Sequence, residues 1–119
     1  MIRTKQPRRG EVWDIRFDPS VGAEMRKVRP AVVISADSIG RLPLRIVVPI
    51  TDWKASYGGY PWFVHLPGDS TSGLSKDSGA DAFQVKSVSV NRFATLRGTL
   101  TDSQLDDIAS AVALCVGAP

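Results

Sequence analysis

The stretch Arg26-Lys27-Val28-Arg29-Pro30-Ala31-Val32-Val33-Ile34-Ser35 crowds three cations at the mouth of an apolar run. A guanidinium offers its N–H donors in a planar fork, the shape that grips a phosphate or carboxylate through two oxygens. Arg29 directly precedes Pro30, so its backbone is biased to an extended form. Val32, Val33 and Ile34 are consecutive, β-branched and apolar, which suits a strand covered on both faces. Pro30 excludes a helix and is expected to mark where that strand begins. A buried strand with a positioned guanidinium at its lip is a device for holding an anion. Other chemistries lack their groups. No His, Cys, Asp and Glu cluster has metal-ligand spacing, so no metal or cofactor is expected, and there is no glycine-rich phosphate loop or nucleophile elbow. The lone His65 falls in mid-strand and reads as structural, as do Trp13 and Cys115, which fall on apolar faces.

The elements that must position Arg29 follow from the pattern. Glu11 to Phe17 alternates, with Trp13, Ile15 and Phe17 on one face, as a half-buried strand does. Asp18-Pro19-Ser20-Val21-Gly22 breaks it, and a loop runs through Glu24 into the cationic lip. Pro30 to Ser35 is the second strand, and residues 37–43 are a connection. Leu44 to Thr51 is the third strand, with Thr51 at its terminus; Pro49 inside it argues for an edge or a bulge. Five of the nine aromatics fall between Trp53 and Phe63, where Gly58-Gly59 suits a tight turn with positive dihedrals. Trp62 to Leu66 reads as a fourth strand, residues 67–79 as a loop, Asp81 to Lys86 as a fifth strand, Val88 to Arg92 as irregular or 3₁₀, and Ala94 to Leu100 as a last strand. Thr101 with Gln104 three residues on makes a capping box, with Leu100 and Leu105 as its hydrophobic staple. Leu105, Ile108, Ala109, Val112, Cys115 and Val116 recur at helical spacing until Gly117. Short strands and one terminal helix predict a mainly β fold, a small antiparallel barrel with a C-terminal helix.

A chain of 119 residues suits one domain, residues 1–119, preceded by a basic arm over 1–9. The net charge of +3 is uneven: residues 1–29 carry eight Lys and Arg against four acids, whereas residues 102–119 carry three Asp and no Lys or Arg. That asymmetry suits an anionic partner on one face. A single cysteine fits a reducing compartment. No apolar run approaches membrane-spanning length, and the first nine residues lack a signal peptide's apolar core, so a cytoplasmic protein with no membrane partner is expected.

Gly10-Glu11-Val12-Trp13, Asp18-Pro19, Gly22-Ala23-Glu24, Arg26 to Ser35 and Pro49-Ile50-Thr51 stand in an order and register that resembles the MazF/PemK family of toxin endoribonucleases across nearly the whole chain. The resemblance implies an SH3-like barrel, a homodimer, metal-independent cleavage of single-stranded RNA (mRNA), and a MazE-like antitoxin that blocks the RNA groove. By the same resemblance Arg29, Thr51 and Glu24 match catalytic positions and Gln84 a glutamine near the RNA path. Arg26, Lys27, Lys86 and Trp53 are the further candidates for RNA contact. The chain departs from the usual pattern at Phe83, where relatives commonly carry an acid, and at Lys86, where they carry arginine; a point charge does not inherit a bidentate role.

The implied chemistry is attack by the RNA 2′-hydroxyl on the adjacent phosphate, giving 2′,3′-cyclic phosphate and 5′-hydroxyl ends. Arg29 suits the non-bridging oxygens, Thr51 the pose of the same phosphate, and Glu24 the base. Trp53, Tyr57, Tyr60 and Trp62 suit base stacking or plain hairpin packing. An alternative is a CcdB-type, non-enzymatic inhibitor of DNA gyrase with the same barrel, since fold does not fix function; the helix end such toxins use is small and featureless here, Val116-Gly117-Ala118-Pro119. A third is a barrel that binds RNA without cutting it.

Overall fold

The computed structural model describes residues 5–17, 28–39 and 42–119. Seven strands form: β1 (Glu11–Arg16), β2 (Val28–Val33), β3 (Leu44–Asp52), β4 (Phe63–Leu66), β5 (Ser78–Asp81), β6 (Lys86–Ser89) and β7 (Phe93–Thr99), followed by the helix α1 (Asp102–Cys115). All pairings are antiparallel, in the order β4-β5-β3-β2-β1-β7, with β6 also on β3. No helix among the described residues is long and apolar enough to cross a membrane.

Alternation of side chains across β1, β2 and β3 feeds two cores. Val12, Val32, Val48 and Ile50 point to one face with Leu66, Ala80, Leu105 and Ile108. Trp13, Ile15, Ala31, Val33 and Val47 point to the other with Val88 and Phe93. This is why the apolar run in β2 is continuous rather than alternating: both of its faces are covered. The strand begins at Val28, two residues before the expected start. Pro30 fits inside it because the ladder to β3 begins only at Ala31, opposite Pro49, so the missing N–H of Pro30 falls one residue outside that ladder.

The antiparallel architecture with one C-terminal helix is as expected, but the sheet does not close into a barrel. Its edges, β4 and β7, do not pair with each other. The connection from β4 to β5 bridges them instead: Thr99 donates its N–H to the Thr71 carbonyl at 3.0 Å, and Arg97 donates to the Gly73 carbonyl through Nε at 3.1 Å and Nη2 at 2.8 Å. Gly73 holds a positive φ of 74° there, which glycine tolerates without strain. The segment read as a loop over 67–79 thus ends inside β5.

Three other expectations change. The fifth strand placed over Asp81 to Lys86 is a 3₁₀ turn, Ala82–Gln84, between β5 and β6, because the Asp81 side chain accepts the Phe83 N–H and caps the turn. Gly58 and Gly59 lie in a 3₁₀ helix, Ala55–Gly59, and carry no positive φ. Along α1 the buried residues are Leu105, Ile108 and Ala111, with Val112 packed beside them, whereas Val116 is exposed. The capping box forms as read: Gln104 N–H donates to Thr101 Oγ1 at 3.1 Å, and Thr101 N–H to Gln104 Oε1 at 2.9 Å. The described part of the basic arm is tied down by buried Arg45, whose guanidinium donates to the carbonyls of Pro7, Leu42 and Leu44, each at 2.8 Å.

A Cβ at Gly98 of β7 would overlap the Thr71 carbonyl and Ser72 backbone. Glycine-to-alanine changes in strands ordinarily help stability by limiting the unfolded chain. Gly98→Ala is expected to do the reverse, lowering stability by about 1–3 kcal/mol in urea unfolding; an unchanged or raised midpoint would show that the bridging loop does not press on β7.

Candidate active site

One side of β3 changes partner along its length. Leu44 to Val47 pair with β6, and Ile50 to Asp52 pair with β5, leaving Val48 and Pro49 unpaired on that side. Proline has no N–H to lose in such a gap. The expectation that Pro49 marks an edge or bulge is thereby corrected: it sits in the centre of the sheet, where two partners meet. The 3₁₀ turn Ala82–Gln84 carries the chain across the gap, held by its bond from Ala82 N–H to the Trp62 carbonyl at 3.0 Å and by α1 packed against it.

A cavity of about 310 Å³ opens at this gap. Pro49, Ile50 and Thr51 form its floor, Arg29 one wall, and Asp81, Gln84 and Lys86 the opposite one. A smaller cavity of about 150 Å³ adjoins it, sharing Arg29, Ile50 and Thr51 and bounded further by Pro30, Asp52 and Ser78. Arg29 and Thr51 therefore stand on the partition between two lobes. Asp52 is held by Lys76 at 3.1 Å.

Arg29 projects from β2 opposite Ile15 of β1. Its Nε is buried and has no hydrogen-bond partner among the described residues. A desolvated donor without an acceptor is destabilising by about 1–3 kcal/mol, and such a group in a cleft is poised for an incoming anion. Thr51 lies opposite Gly79 of β5 and lines both lobes. Lys86 starts β6, with its Nζ 5.0 Å from the centre of the Phe17 ring, a cation–π contact.

The aromatic segment folds into three stacked ring pairs among the described residues, Tyr60 on Trp62 with centroids 4.8 Å apart being one of them. Tyr57 stacks on Phe63 with centroids 4.0 Å apart, and Trp53 on His65 at 4.3 Å. Both Trp53 and Phe63 crowd over Gly79, where a Cβ would come within 3.0 Å and 3.2 Å of their rings. Tyr57 and Phe63 line the larger cavity, and Trp53 does not. His65 also meets Asp77 at 3.3 Å, in keeping with a structural role.

Of the residues singled out by sequence, Arg29, Thr51, Gln84 and Lys86 are thus brought together at one cleft. Glu24, Arg26 and Lys27 lie outside the described residues. Sequence reasoning passed over Asp81, Phe63 and Phe17 as site residues. For Asp81 a signal existed: an acid three residues before Gln84 is placed to cap the turn that carries it. Phe17 gave none beyond ending the apolar face of its strand.

A family model described as PemK-like, MazF-like toxin of type II toxin–antitoxin system matches residues 8–116. The endoribonuclease MazF9 of Mycobacterium tuberculosis is 34% identical over 113 residues, spanning 90% of this chain and 93% of its own. The endoribonuclease toxin MazF of Escherichia coli K12 is 33% identical over 119 residues, spanning 98% and 100%. Among solved structures, MazF (Form-I) from Deinococcus radiodurans superposes with a TM-score of 0.75 at 25% identity, covering 95% of this chain and 98% of that one. An endoribonuclease in complex with its cognate antitoxin, from a mycobacterial species, superposes with a TM-score of 0.72 at 21% identity, covering 95% and 97%, a likeness of fold.

Because the Nε of Arg29 has no partner to lose among the described residues, Arg29→Ala is expected to leave stability within about 1 kcal/mol of wild type in urea unfolding. A loss of about 3 kcal/mol or more would make Arg29 a structural residue of the sheet instead.

Proposed function

The chain belongs to the PemK-like, MazF-like toxins of type II toxin–antitoxin systems, and from that membership we propose that it is an endoribonuclease that cuts single-stranded RNA and is neutralised by a cognate antitoxin. The observation that carries the reading is the buried Nε of Arg29, unpartnered among the described residues, beside Thr51 on the partition of the cleft.

In the proposed reaction the 2′-oxygen attacks the adjacent phosphorus and the bond to the 5′-oxygen breaks. The 2′-hydroxyl gives its proton to a base, and the leaving 5′-oxygen takes one up. The upstream fragment ends in a 2′,3′-cyclic phosphate and the downstream one in a 5′-hydroxyl. Arg29 holds the non-bridging oxygens, where negative charge grows in the transition state. Thr51 donates to the same phosphate and fixes its pose. Glu24, with Arg26 and Lys27, is carried just ahead of Arg29 in the chain and is assigned the base. Gln84 and Lys86 lie along the path of the strand. RNA brings its own nucleophile, so the scheme is metal-independent. The gyrase-inhibitor alternative gains no support from relatives named as endoribonucleases. The free Cys115 suits a cytoplasmic setting.

A second copy of the chain is the proposed cover for an apolar strip beside β3. Leu44 and Ile46 continue the face of Val48 and Ile50 but are 45% and 41% exposed, and Ile39 and Leu42 beside them are each 55% exposed. Such a strip on a small protein suits an isologous homodimer.

Incubation with a long single-stranded RNA in EDTA is expected to give discrete cuts with 5′-hydroxyl ends, reduced at least about 10²–10³-fold by Arg29→Ala. RNA left whole by wild type, or cut equally by the variant, overturns the assignment. Sedimentation at micromolar concentration is expected to show a dimer that Ile46→Asp converts to folded monomer; a monomeric wild type would rule the interface out.

A further inference from the structure

The geometry points to Asp81 as the residue that selects a guanine in the cleft, a specificity that rests on the ribonuclease reading above. A carboxylate in a cavity built for a phosphodiester strand repels every phosphate that passes, and capping the 3₁₀ turn needs only one acceptor oxygen, which an uncharged Asn or Ser supplies as well. Ionised, it only accepts hydrogen bonds. RNA offers donors solely at its base N–H groups and its 2′-hydroxyls. A carboxylate there therefore faces a base edge or a ribose.

Three features favour the base edge. First, Asp81 of β5 is the direct cross-strand partner of Phe63 of β4, and side chains of such a pair emerge on one face about 4.5–5.5 Å apart at Cβ. Phe63 also lines the cleft, stacked on Tyr57, so a base lying on these rings presents its edge to the carboxylate. Second, the carboxylate is pre-set: Oδ1 accepts the Phe83 N–H at 3.2 Å, and Asp81 has no ion pair among the described residues. Each carboxylate oxygen has two acceptor sites, so both oxygens stay open to a ligand. Third, Gln84 closes the 3₁₀ turn that Asp81 caps, and both line the cavity. An amide donor then stands beside a two-oxygen acceptor.

That order complements the Watson–Crick edge of guanine, which presents the O6 acceptor and then the N1–H and N2–H donors in a row. The donors on adenine and cytosine lie next to ring acceptors, and the single N3–H of uracil is flanked by two carbonyls; each sets an acceptor against Asp81. Guanine alone gives the carboxylate two adjacent donors.

The test maps the cuts made by wild type and Asp81→Asn on one long RNA, then measures short RNAs carrying the mapped site. Asparagine keeps the size of the side chain and an oxygen to cap the turn, but replaces one acceptor by a donor. Wild-type cuts are expected to share a guanine at one fixed position. Inosine there, which lacks the N2 amino group, should lower kcat/KM about 10-fold, the lower part of what a bidentate base contact is worth. Asp81→Asn should lose at least about 10-fold at guanine sites while cutting sites with another base at that position as well as or better than wild type. A consensus without guanine, or an unchanged preference in Asp81→Asn, overturns the assignment while leaving the ribonuclease intact. An equal loss at every site also overturns it, since Asp81 would then serve the chemistry itself. RNA left whole by wild type removes the ribonuclease reading and this one with it.

Discussion

β3 cannot satisfy one partner along its whole outer side, and the rest of the site follows from that constraint. Of the nine residues of β3, four pair with β6 and three with β5, each itself four residues long. Proline occupies the hand-over, where a donor would have had no acceptor. The chain must cross from one partner to the other, and it does so in a single capped 3₁₀ turn. A cleft is the geometric remainder of this arrangement. Its floor is a central strand, and its walls are Arg29 of β2 on one side and, on the other, the last residue of β5, the turn and the first residue of β6. Groups carried there are as rigid as the sheet itself, which is what positioning a reacting phosphate requires.

The two cores explain why the cleft can tolerate a destabilising residue. Val12, Val32 and Val48 lock β1 to β3 from one side, and Ile15, Val33 and Val47 from the other, all fully buried. Arg29 belongs to the same strand, beyond the last pair with β3. Its desolvated Nε sets an interaction unmade against a scaffold that does not depend on it, a common arrangement where binding matters more than stability. α1 contributes at a distance: Leu105 and Ile108 fill the first core while the helix supports the turn that carries Gln84.

Much of this was legible in the sequence. β-branched runs named β2 and β3, alternation named β1, and the Thr101–Gln104 box named the start of α1, because local chemistry and the final fold agree at those places. Agreement failed where a residue's job was set by a distant strand. Pro49 reads as an edge signal in isolation and is central only because β5 and β6 meet beside it. Asp81 to Lys86 has the look of one strand until the Asp81 cap breaks it. The barrel expected from strand count stays open because the β4–β5 connection, through Gly73 and Thr71, covers β7 with loop backbone rather than a strand. Arg29, Thr51 and Gln84 were found by motif and spacing, whereas Phe63 and Asp81 become neighbours only through the β4–β5 register, which no local pattern specifies.

The two cations that line the cleft among the described residues differ in kind, and under the proposed function the difference bears on how one site would serve both a substrate and an inhibitor. Arg29 is a planar fork held on a rigid strand, with orientation as well as charge. Lys86 is a point charge on a flexible stem, steadied among the described residues by the face of Phe17. A phosphodiester in reactive geometry needs the first; any anion satisfies the second. An antitoxin segment rich in carboxylates would be drawn by the charge that both supply without meeting the demands of Thr51, Gln84 and Asp81 together. Lys86 carries the charge of an arginine without its fork, so it attracts but orients less, and on the proposed reading discrimination falls to the groups on the 3₁₀ turn.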